Sequence, residues 1–124
     1  MIIIELPFPD AKLNPNRKNG KHWGSSINAK IAARDMGYFV TKEACSKMNA
    51  NPSEYFRLGC KLDIKFIAPD KRKRDLDNLL SSAKSHIDGV CLALGLDDYQ
   101  FVSVTLRRGY SKGAGAMIME ITGA

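Results

Sequence analysis

Four stretches of the chain have the hydrophobic pattern of β-strands. They are residues 2–6, 58–68, 102–106 and 117–121. The first is a short apolar run that two prolines close, whereas the other three carry apolar side chains at alternate positions. The glycine-rich segment 109–115 separates the last two stretches and suits a hairpin connection. The pattern therefore predicts four strands.

Two longer stretches have helical periodicity. The first follows Ser26 or Asn28, either of which is placed to cap a helix, and Asn51–Pro52 ends it. Its apolar residues at roughly helical spacing are Ile31, Tyr38, Phe39, Cys45 and Met48. In the second stretch, residues 76–94, eight apolar residues form one continuous stripe, and Gly95 is a natural stop. We therefore predict one unbroken helix over 76–94.

The element order is β-α-β-α-β-β. With 124 residues and 13.7 kDa, the chain is large enough for one hydrophobic core. We therefore predict a small α+β domain over residues 1–124, with a mixed sheet and two main helices. The three cysteines are widely spaced and match neither a zinc motif nor a disulfide framework, which indicates reduced thiols in the cytoplasm. No segment reaches membrane-spanning length, so we expect no membrane partner.

The charge balance favours a polyanionic partner. Lysine and arginine outnumber aspartate and glutamate by 19 to 13, which gives a net charge of +6. An excess of this sign attracts nucleic acid, although it says little about fold. The alternative is a protein that is basic without such a partner.

Positive charge is concentrated beside two acids where the second helix begins. The sequence KRKRDLDNL places four cations, residues 71–74, directly before Asp75 and Asp77. A second acidic pair, Asp97 and Asp98, follows the far end of the helix. Aspartates at a helix start can simply cap free N–H groups, and the cations can neutralise them. Capping, however, needs one aspartate rather than two.

Converging carboxylates indicate a bound cation. Two carboxylates about 4 Å apart repel each other by roughly 4 kcal/mol at an effective dielectric constant near 20. Mg²⁺ suits such a pair because it binds carboxylate oxygens and keeps several waters for a substrate phosphate. The neighbouring cations would then hold a phosphodiester backbone against the metal. The pattern predicts metal-dependent phosphodiester hydrolysis, in which a metal-bound water attacks the phosphate.

The motifs together closely resemble the RusA family of Holliday-junction resolvases. The resemblance lies in RKRDLDNL, the helix after it and LDDYQ, and the N-terminal LPFPDAKLNPNR is similar to that family's opening strand and proline-rich turn. It covers essentially the whole chain. It implies a homodimeric endodeoxyribonuclease of bacteria or phages that binds four-way DNA junctions and requires Mg²⁺ or Mn²⁺. Such an enzyme makes symmetric paired nicks with 5′-phosphate and 3′-hydroxyl ends in DNA recombination and repair.

Carried over to this chain, the resemblance assigns the metal to Asp75, Asp77 and Asp98, with Asp97 a weaker candidate. Asn78 matches the motif without an assigned role.

The chain departs from the family pattern at one catalytic position. The family usually has a lysine four residues after the second aspartate of DLD, and that lysine supports cleavage. Ser81 occupies this position, and Lys84 lies three residues further along the same polar helix face. Either Lys84 or a residue of the basic run substitutes, or the protein cleaves slowly. We therefore take Lys84 as a candidate catalytic residue, with a solvated surface charge as the alternative.

Two basic segments are predicted to contact DNA. They comprise Lys71, Arg72, Lys73 and Arg74 before the second helix, and Arg17, Lys18, Lys21 and His22 in the N-terminal loop. Trp23 could stack on a base or anchor the first helix. Weaker candidates are Arg107, Arg108 and Lys112. Such contacts bind phosphates and recognise shape rather than sequence.

Three functional hypotheses follow. The first is an active junction-resolving endonuclease. The second is a junction- or DNA-binding module whose catalysis is weak or lost, which the serine at position 81 favours. The third, a small basic structural protein, leaves the separated aspartates unexplained.

Overall fold

A four-stranded sheet with helices packed on one face forms the domain. The structure, a computed structural model, describes residues 1–14 and 23–124, with the backbone alone for 23–25. The strands are β1 (Ile2–Leu6), β2 (Cys60–Ala68), β3 (Phe101–Tyr110) and β4 (Ala116–Gly123). The helices are α1 (Trp23–Cys45), α2 (Pro52–Tyr55), α3 (Leu76–Ser82) and α4 (Lys84–Leu94). The predicted α+β class is confirmed, and α1 begins three residues before Ser26.

The strand order is β1-β4-β2-β3, so β4 lies inside the sheet. β4 is antiparallel to both of its neighbours, and β2 is parallel to β3. The sheet is therefore mixed, as predicted, but a β3–β4 hairpin is wrong because β2 lies between the two strands. The inward side chains of β4 are completely buried, whereas those of β3 are exposed or half-buried. This difference in burial suits β4 to the centre of the sheet and β3 to its edge. The segment 109–115 is instead a crossover, with positive φ at Gly113 and Gly115.

The hydrophobic core lies on one face of the sheet. Strands β1, β2 and β4 contribute Ile2, Ile4, Leu6, Cys60, Leu62, Ile64, Phe66, Met117, Met119 and Ile121. Helix α4 covers them with Ile87, Val90 and Leu94. The opposite face carries Lys61 and Lys65, which are exposed as the alternation of β2 predicts.

Helices α1 and α4 approach each other through two glycines. A Cβ added to Gly37 would overlap the carbonyl oxygen of His86, and one added to Gly89 would overlap that of Arg34. The two backbones therefore touch, and this contact decides which side of α1 is buried. The predicted apolar stripe of α1 is partly wrong, because Ile31 and Phe39 are 54% and 67% exposed. Small side chains, rather than large ones, form this helix contact.

The predicted single helix over 76–94 is interrupted at Ala83, which separates α3 from α4. The hydroxyl of Ser82 donates a 2.9 Å hydrogen bond to the carbonyl oxygen of Asn78. Serine bonds of this kind compete with the helix backbone and bend helices. Gly95 ends α4 in the left-handed region at φ 68°, as the sequence predicts.

We expect His86 to make the domain sensitive to acid. Its side chain is 5% exposed, and among the residues that the structure describes its Nδ1 has no hydrogen-bond partner. Burial lowers the pKa of His86 from 6.5 to about 4. The folded state therefore favours the neutral imidazole, and protonation favours unfolding. We expect stability to fall by about 3 kcal/mol as the pH drops from 6.5 towards 4.

The measurement is urea unfolding at several pH values with the wild type and His86→Gln. The variant should lack the loss between pH 6.5 and 4 and keep the loss at lower pH, because the pKa values of Asp70 and Asp98 are lowered below 3.8. The same loss in both proteins would contradict the assignment to His86.

Candidate active site and nucleic-acid interface

The basic turn, defined as Lys71–Arg74, is shaped by Asp70. One carboxylate oxygen of Asp70 accepts hydrogen bonds from the Arg72 backbone N–H at 3.0 Å and from the Arg74 guanidinium at 2.9 Å. The hydrogen bond from Arg74, with that from Arg72, lowers the pKa of the Asp70 carboxyl. Asp70 therefore folds the turn back on itself. Sequence reasoning missed this role, although an aspartate two residues before a turn amide is a recognisable turn signal.

The four cations of the basic turn have different environments. Lys71, Arg72 and Lys73 are exposed, whereas Arg74 is half-buried. The guanidinium carbon of Arg74 lies 5.1 Å from the centre of the Phe8 ring. Arg74 thus binds Asp70 and packs on an aromatic ring, so its charge supports the turn. Lys71, Arg72 and Lys73 remain exposed to a ligand, and Arg72 Nε also lies 3.6 Å from Asp70 Oδ2.

The end of β3 adjoins the basic turn. Arg108 donates a 2.7 Å hydrogen bond from Nη1 to the carbonyl oxygen of Arg74, and the Lys71 ammonium lies 5.4 Å from the centre of the Tyr110 ring. A groove runs between these residues, and both Arg108 and Tyr110 line it. Arg107 points elsewhere, because it donates a 3.0 Å hydrogen bond to Asp63 on the open face of the sheet.

Asp75 and Asp77 lie at the start of α3, directly after the basic turn. Asp75 is the N-cap residue and its backbone carbonyl accepts from Leu79 N–H at 3.0 Å, yet its carboxylate makes no capping hydrogen bond. Both aspartate side chains are exposed. Asp75 lines a second groove with Asn14 and Asn78, on the other side of the basic turn. The capping alternative therefore does not account for the Asp75 carboxylate.

The acidic pair before β3 divides into a structural and an exposed member. Asp97 accepts a 3.2 Å hydrogen bond from Tyr99 N–H, and the Gln100 side chain accepts one of 3.0 Å from Asp97 N–H. These bonds form a capping box for the 3₁₀ turn Asp98–Gln100. Asp97 and Gln100 thus stabilise the turn, and the Asp98 side chain is exposed to solvent.

Lys84 lies beside Asp98 rather than beside Asp75 or Asp77. Its Nζ is 3.2 Å from Asp98 Oδ2, and this hydrogen bond lowers the pKa of the Asp98 carboxyl. Ser81 lines the same groove as this ion pair. Ser81 and Lys84, which share the polar helix face predicted from the sequence, therefore lie near Asp98.

The three predicted metal ligands do not form a cluster within one chain. In residues 1–14 and 23–124, no group of three or more histidine, cysteine, aspartate or glutamate side chains could hold a metal ion. Asp75 lies near the end of β3, because Arg108 binds the residue before it. Asp98 lies just before the start of β3. The strand separates the two carboxylates.

Part of the predicted DNA surface lies outside the described residues. This part comprises Arg17, Lys18, Lys21 and His22. The side chain of Trp23 also lies outside them.

The cysteine thiols are unsuited to nucleophilic attack. All three are free, and Cys60 and Cys91 are buried. Burial raises the pKa of Cys60 and raises that of Cys91 to about 12, so both thiols are protonated at neutral pH. The exposed carboxylates remain the groups suited to hydrolysis.

Comparisons with known proteins find a bacterial relative that is itself uncharacterized. No family model matches the chain. An uncharacterized protein of Xylella fastidiosa is 34% identical over 123 residues, which are 99% of this chain and 77% of that protein. No helix in the described part of the chain has the length and apolar character needed to span a bilayer.

Proposed function

We propose a function for the family to which this chain and the uncharacterized Xylella fastidiosa protein belong: metal-dependent endonucleolytic cleavage of branched DNA. In this proposal the substrate is a four-way junction, which a homodimer resolves by symmetric nicks in the cytoplasm of a bacterium or of a phage-infected cell. The motif resemblance to the RusA resolvases supports the proposal, as does the net charge of +6.

The Asp75 carboxylate is the observation that carries the proposal. It stands at a helix start, where a capping bond would be expected, and makes none. It is exposed next to three cations that are also exposed. A carboxylate beside phosphate-binding cations repels the phosphates of DNA unless a metal ion bridges the carboxylate and a phosphate. The arrangement therefore fits a metal-assisted site better than a simple binding surface.

The residues at the start of α3 fit Mg²⁺ in chemistry. Mg²⁺ binds through one or two protein carboxylates together with water and substrate phosphate, and Asp75 and Asp77 supply two. Mn²⁺ shares this preference for oxygen ligands. When bound, the ion would polarise the scissile phosphate and activate a water molecule.

The protein's own part is positioning. Lys71, Arg72 and Lys73 would bind the phosphates that flank the scissile bond, and Arg108 fixes the turn that carries them. Tyr110 is 48% exposed beside Lys71 and offers a ring on which an unpaired base at the junction could stack.

A nicking assay tests the proposal. Purified protein is incubated with a synthetic four-way junction labelled on each strand in turn, with Mg²⁺, with Mn²⁺ or with EDTA. We expect nicks with either metal, no nicks with EDTA, and at most weak nicking of a linear duplex of the same sequence. Absence of metal-dependent nicks at any protein concentration that saturates the junction would refute the nuclease proposal.

Junction binding with weak or lost catalysis is the second candidate, and Ser81 favours it. Ser81 is exposed in the groove that holds the Lys84–Asp98 pair. If the missing lysine limits the rate, Ser81→Lys should raise the nicking rate roughly 10-fold, because a positioned cation can donate a proton or stabilise charge in the transition state. The matched control is Ser46→Lys, which adds the same charge at an exposed site just beyond α1 and should change little. An unchanged rate for Ser81→Lys would mean that Lys84 or another cation already serves.

A further inference from the structure

The groove on the far side of the basic turn from Asp75 has the properties of a site for a single nucleotide. Its volume is about 450 Å³, which lies within the range of about 300–1,000 Å³ typical of small-ligand sites. Its floor is apolar, because Phe66 and Leu79 are 0% and 6% exposed. Its rim carries the cations of the basic turn together with Arg108 and Tyr110. An apolar surface bordered by positive charge and an aromatic ring suits a nucleobase with its phosphate.

We propose that this groove binds one unpaired nucleotide of the strand that is cut, next to the phosphate held at Asp75. The base stacks on Tyr110 above the apolar floor, and Lys71 binds the phosphate of the same nucleotide. The groove thereby makes the protein select branched DNA over fully paired DNA. The inference rests on the proposed function for its substrate, and it adds a specificity site apart from the reacting atoms.

The basic turn is the wall between this groove and the one that Asp75 lines. Arg72, Lys73 and Arg74 line both grooves. A DNA strand that crosses the turn therefore has a nucleotide on each side of it, and the exposed cations Arg72 and Lys73 meet the backbone at the crossing. A phosphate bound at Asp75 thus places the adjoining nucleotide at the groove on the far side.

Tyr110 is suited to hold the base. It is 48% exposed, and the Lys71 ammonium lies 5.4 Å from the centre of its ring. Stacking on an aromatic side chain tolerates every base, because each base has a π-face. The ammonium beside the ring is placed to bind the phosphate of the stacked nucleotide. Recognition of this kind depends on whether a base is free to leave its neighbours rather than on which base it is.

The groove is formed before any ligand binds. The hydrogen bond of 2.7 Å from Arg108 to the Arg74 carbonyl oxygen ties the basic turn to β3. The Ser111 backbone N–H donates a 3.1 Å hydrogen bond to the Ala68 carbonyl oxygen, which holds the chain next to Tyr110 against the end of β2. Both walls are therefore fixed, and a preformed site loses little ordering entropy on binding.

Selection of branched DNA follows from the cost of freeing a base. In a continuous duplex each base is paired and stacked, so that entry into the groove requires both interactions to be broken. This cost is least for a base that is already unpaired, as at a branch point or in a single strand. A duplex can still bind the exposed cations through its phosphates, and it gains nothing from the groove.

Junction binding in EDTA tests the site without any cleavage. Four-way junctions that carry an abasic nucleotide at one position, the same in all four strands, are titrated with the wild type and with Tyr110→Ala. The variant should bind the intact junction at least about 5-fold more weakly, which is the lower end of the effect of removing a stacking ring. One abasic position should weaken wild-type binding by a similar factor. It should change the binding of Tyr110→Ala by less than about 2-fold, because the two changes remove the same contact.

Two further variants and a duplex separate stacking from other losses. Tyr110→Phe keeps the ring and should bind the junction like the wild type. Tyr55→Ala removes a tyrosine that is 53% exposed on α2, at the opposite end of β2 from the basic turn, and should also bind like the wild type. A linear duplex of the same sequence should bind equally to the wild type and to Tyr110→Ala, so the preference for the junction should fall in the variant.

The outcomes distinguish this site from the nuclease function. Wild-type affinity for Tyr110→Ala, or equal weakening of both proteins at every abasic position, would overturn the nucleotide site. Coupling between Tyr110 and one position, without nicks in Mg²⁺, would support the site and refute the nuclease function. Nicking without that coupling would do the reverse, and a wild type that does not bind the junction would overturn both.

Discussion

Replacing Asp75 or Asp77 with asparagine should lower the rate of junction nicking at least about 100-fold and leave junction binding intact. The change keeps the size of the side chain and removes the charge that would hold the metal ion. Loss of groups that only support metal ligands costs about 10- to 100-fold, so the loss of a ligand should cost more. Binding should persist because the exposed cations of the basic turn are unchanged and one repulsive charge is gone. Asp98→Asn should have the same effect.

The measurement pairs single-turnover nicking with a gel-shift assay of junction binding, both in Mg²⁺. Asp35→Asn is the matched control, since it makes the same chemical change at an exposed site on α1 and should retain the wild-type rate. Wild-type nicking by Asp75→Asn, Asp77→Asn and Asp98→Asn would defeat the assignment of the metal site. Parallel loss of binding and nicking would instead indicate that the carboxylates shape the DNA surface.

Gly89→Ala should destabilise the domain by about 3 kcal/mol or more. The added Cβ would overlap the Arg34 carbonyl oxygen and lie 2.9 Å from the Tyr38 backbone nitrogen, so α1 and α4 would have to separate. Overpacking at well-packed contacts typically costs about 1–3 kcal/mol, and here the obstacle is rigid backbone. Alanine is the better helix former by about 1 kcal/mol, so helix propensity alone predicts the opposite sign.

Urea unfolding decides between these signs. Gly123→Ala serves as the control, because a Cβ added there meets no atom within 4 Å, and its stability should stay within about 0.5 kcal/mol of the wild type. A Gly89→Ala protein as stable as the wild type would show that the two helices can separate at little cost.

Local structure followed from the sequence because local rules determine it. The alternation of β2 predicted its buried face, and Gly95 adopts the left-handed conformation expected at a helix end. The position of Asp75 and Asp77 at the start of α3 also followed from sequence, since the basic turn separates a strand from an apolar helical stripe.

Two features of the fold depended on contacts between distant residues. The buried side of α1 is set by the backbone contacts at Gly37 and Gly89. The spacing of hydrophobic residues cannot predict these contacts, because glycine has no side chain. The insertion of β2 between β3 and β4 is a choice of partners rather than of local conformation. Hydrophobic alternation is the same for a hairpin and for a crossover, so it could not distinguish them.

The candidate site likewise combines features that local sequence sets with features that depend on contacts between distant residues. The capping role of Asp97 is local but was not predicted, whereas the serine at position 81 was recognised from spacing. The relation between Asp75 and Asp98 depends on the direction in which β3 runs past α3, and the interaction of Arg108 with the turn depends on it too. Spacing in the sequence cannot show that two aspartates lie at opposite ends of a strand.

The internal position of β4 has a consequence for how the chain folds during synthesis. Among the residues that the structure describes, β1 pairs with β4 alone, and their partners, such as Ile4 and Met119, are more than a hundred residues apart in sequence. β1 therefore has no place in the sheet until β4 has left the ribosome. Such long-range pairing slows folding and keeps the apolar strands without partners in the meantime. Completion of the sheet therefore waits for β4, and chains that stall before β4 are the ones most exposed to aggregation.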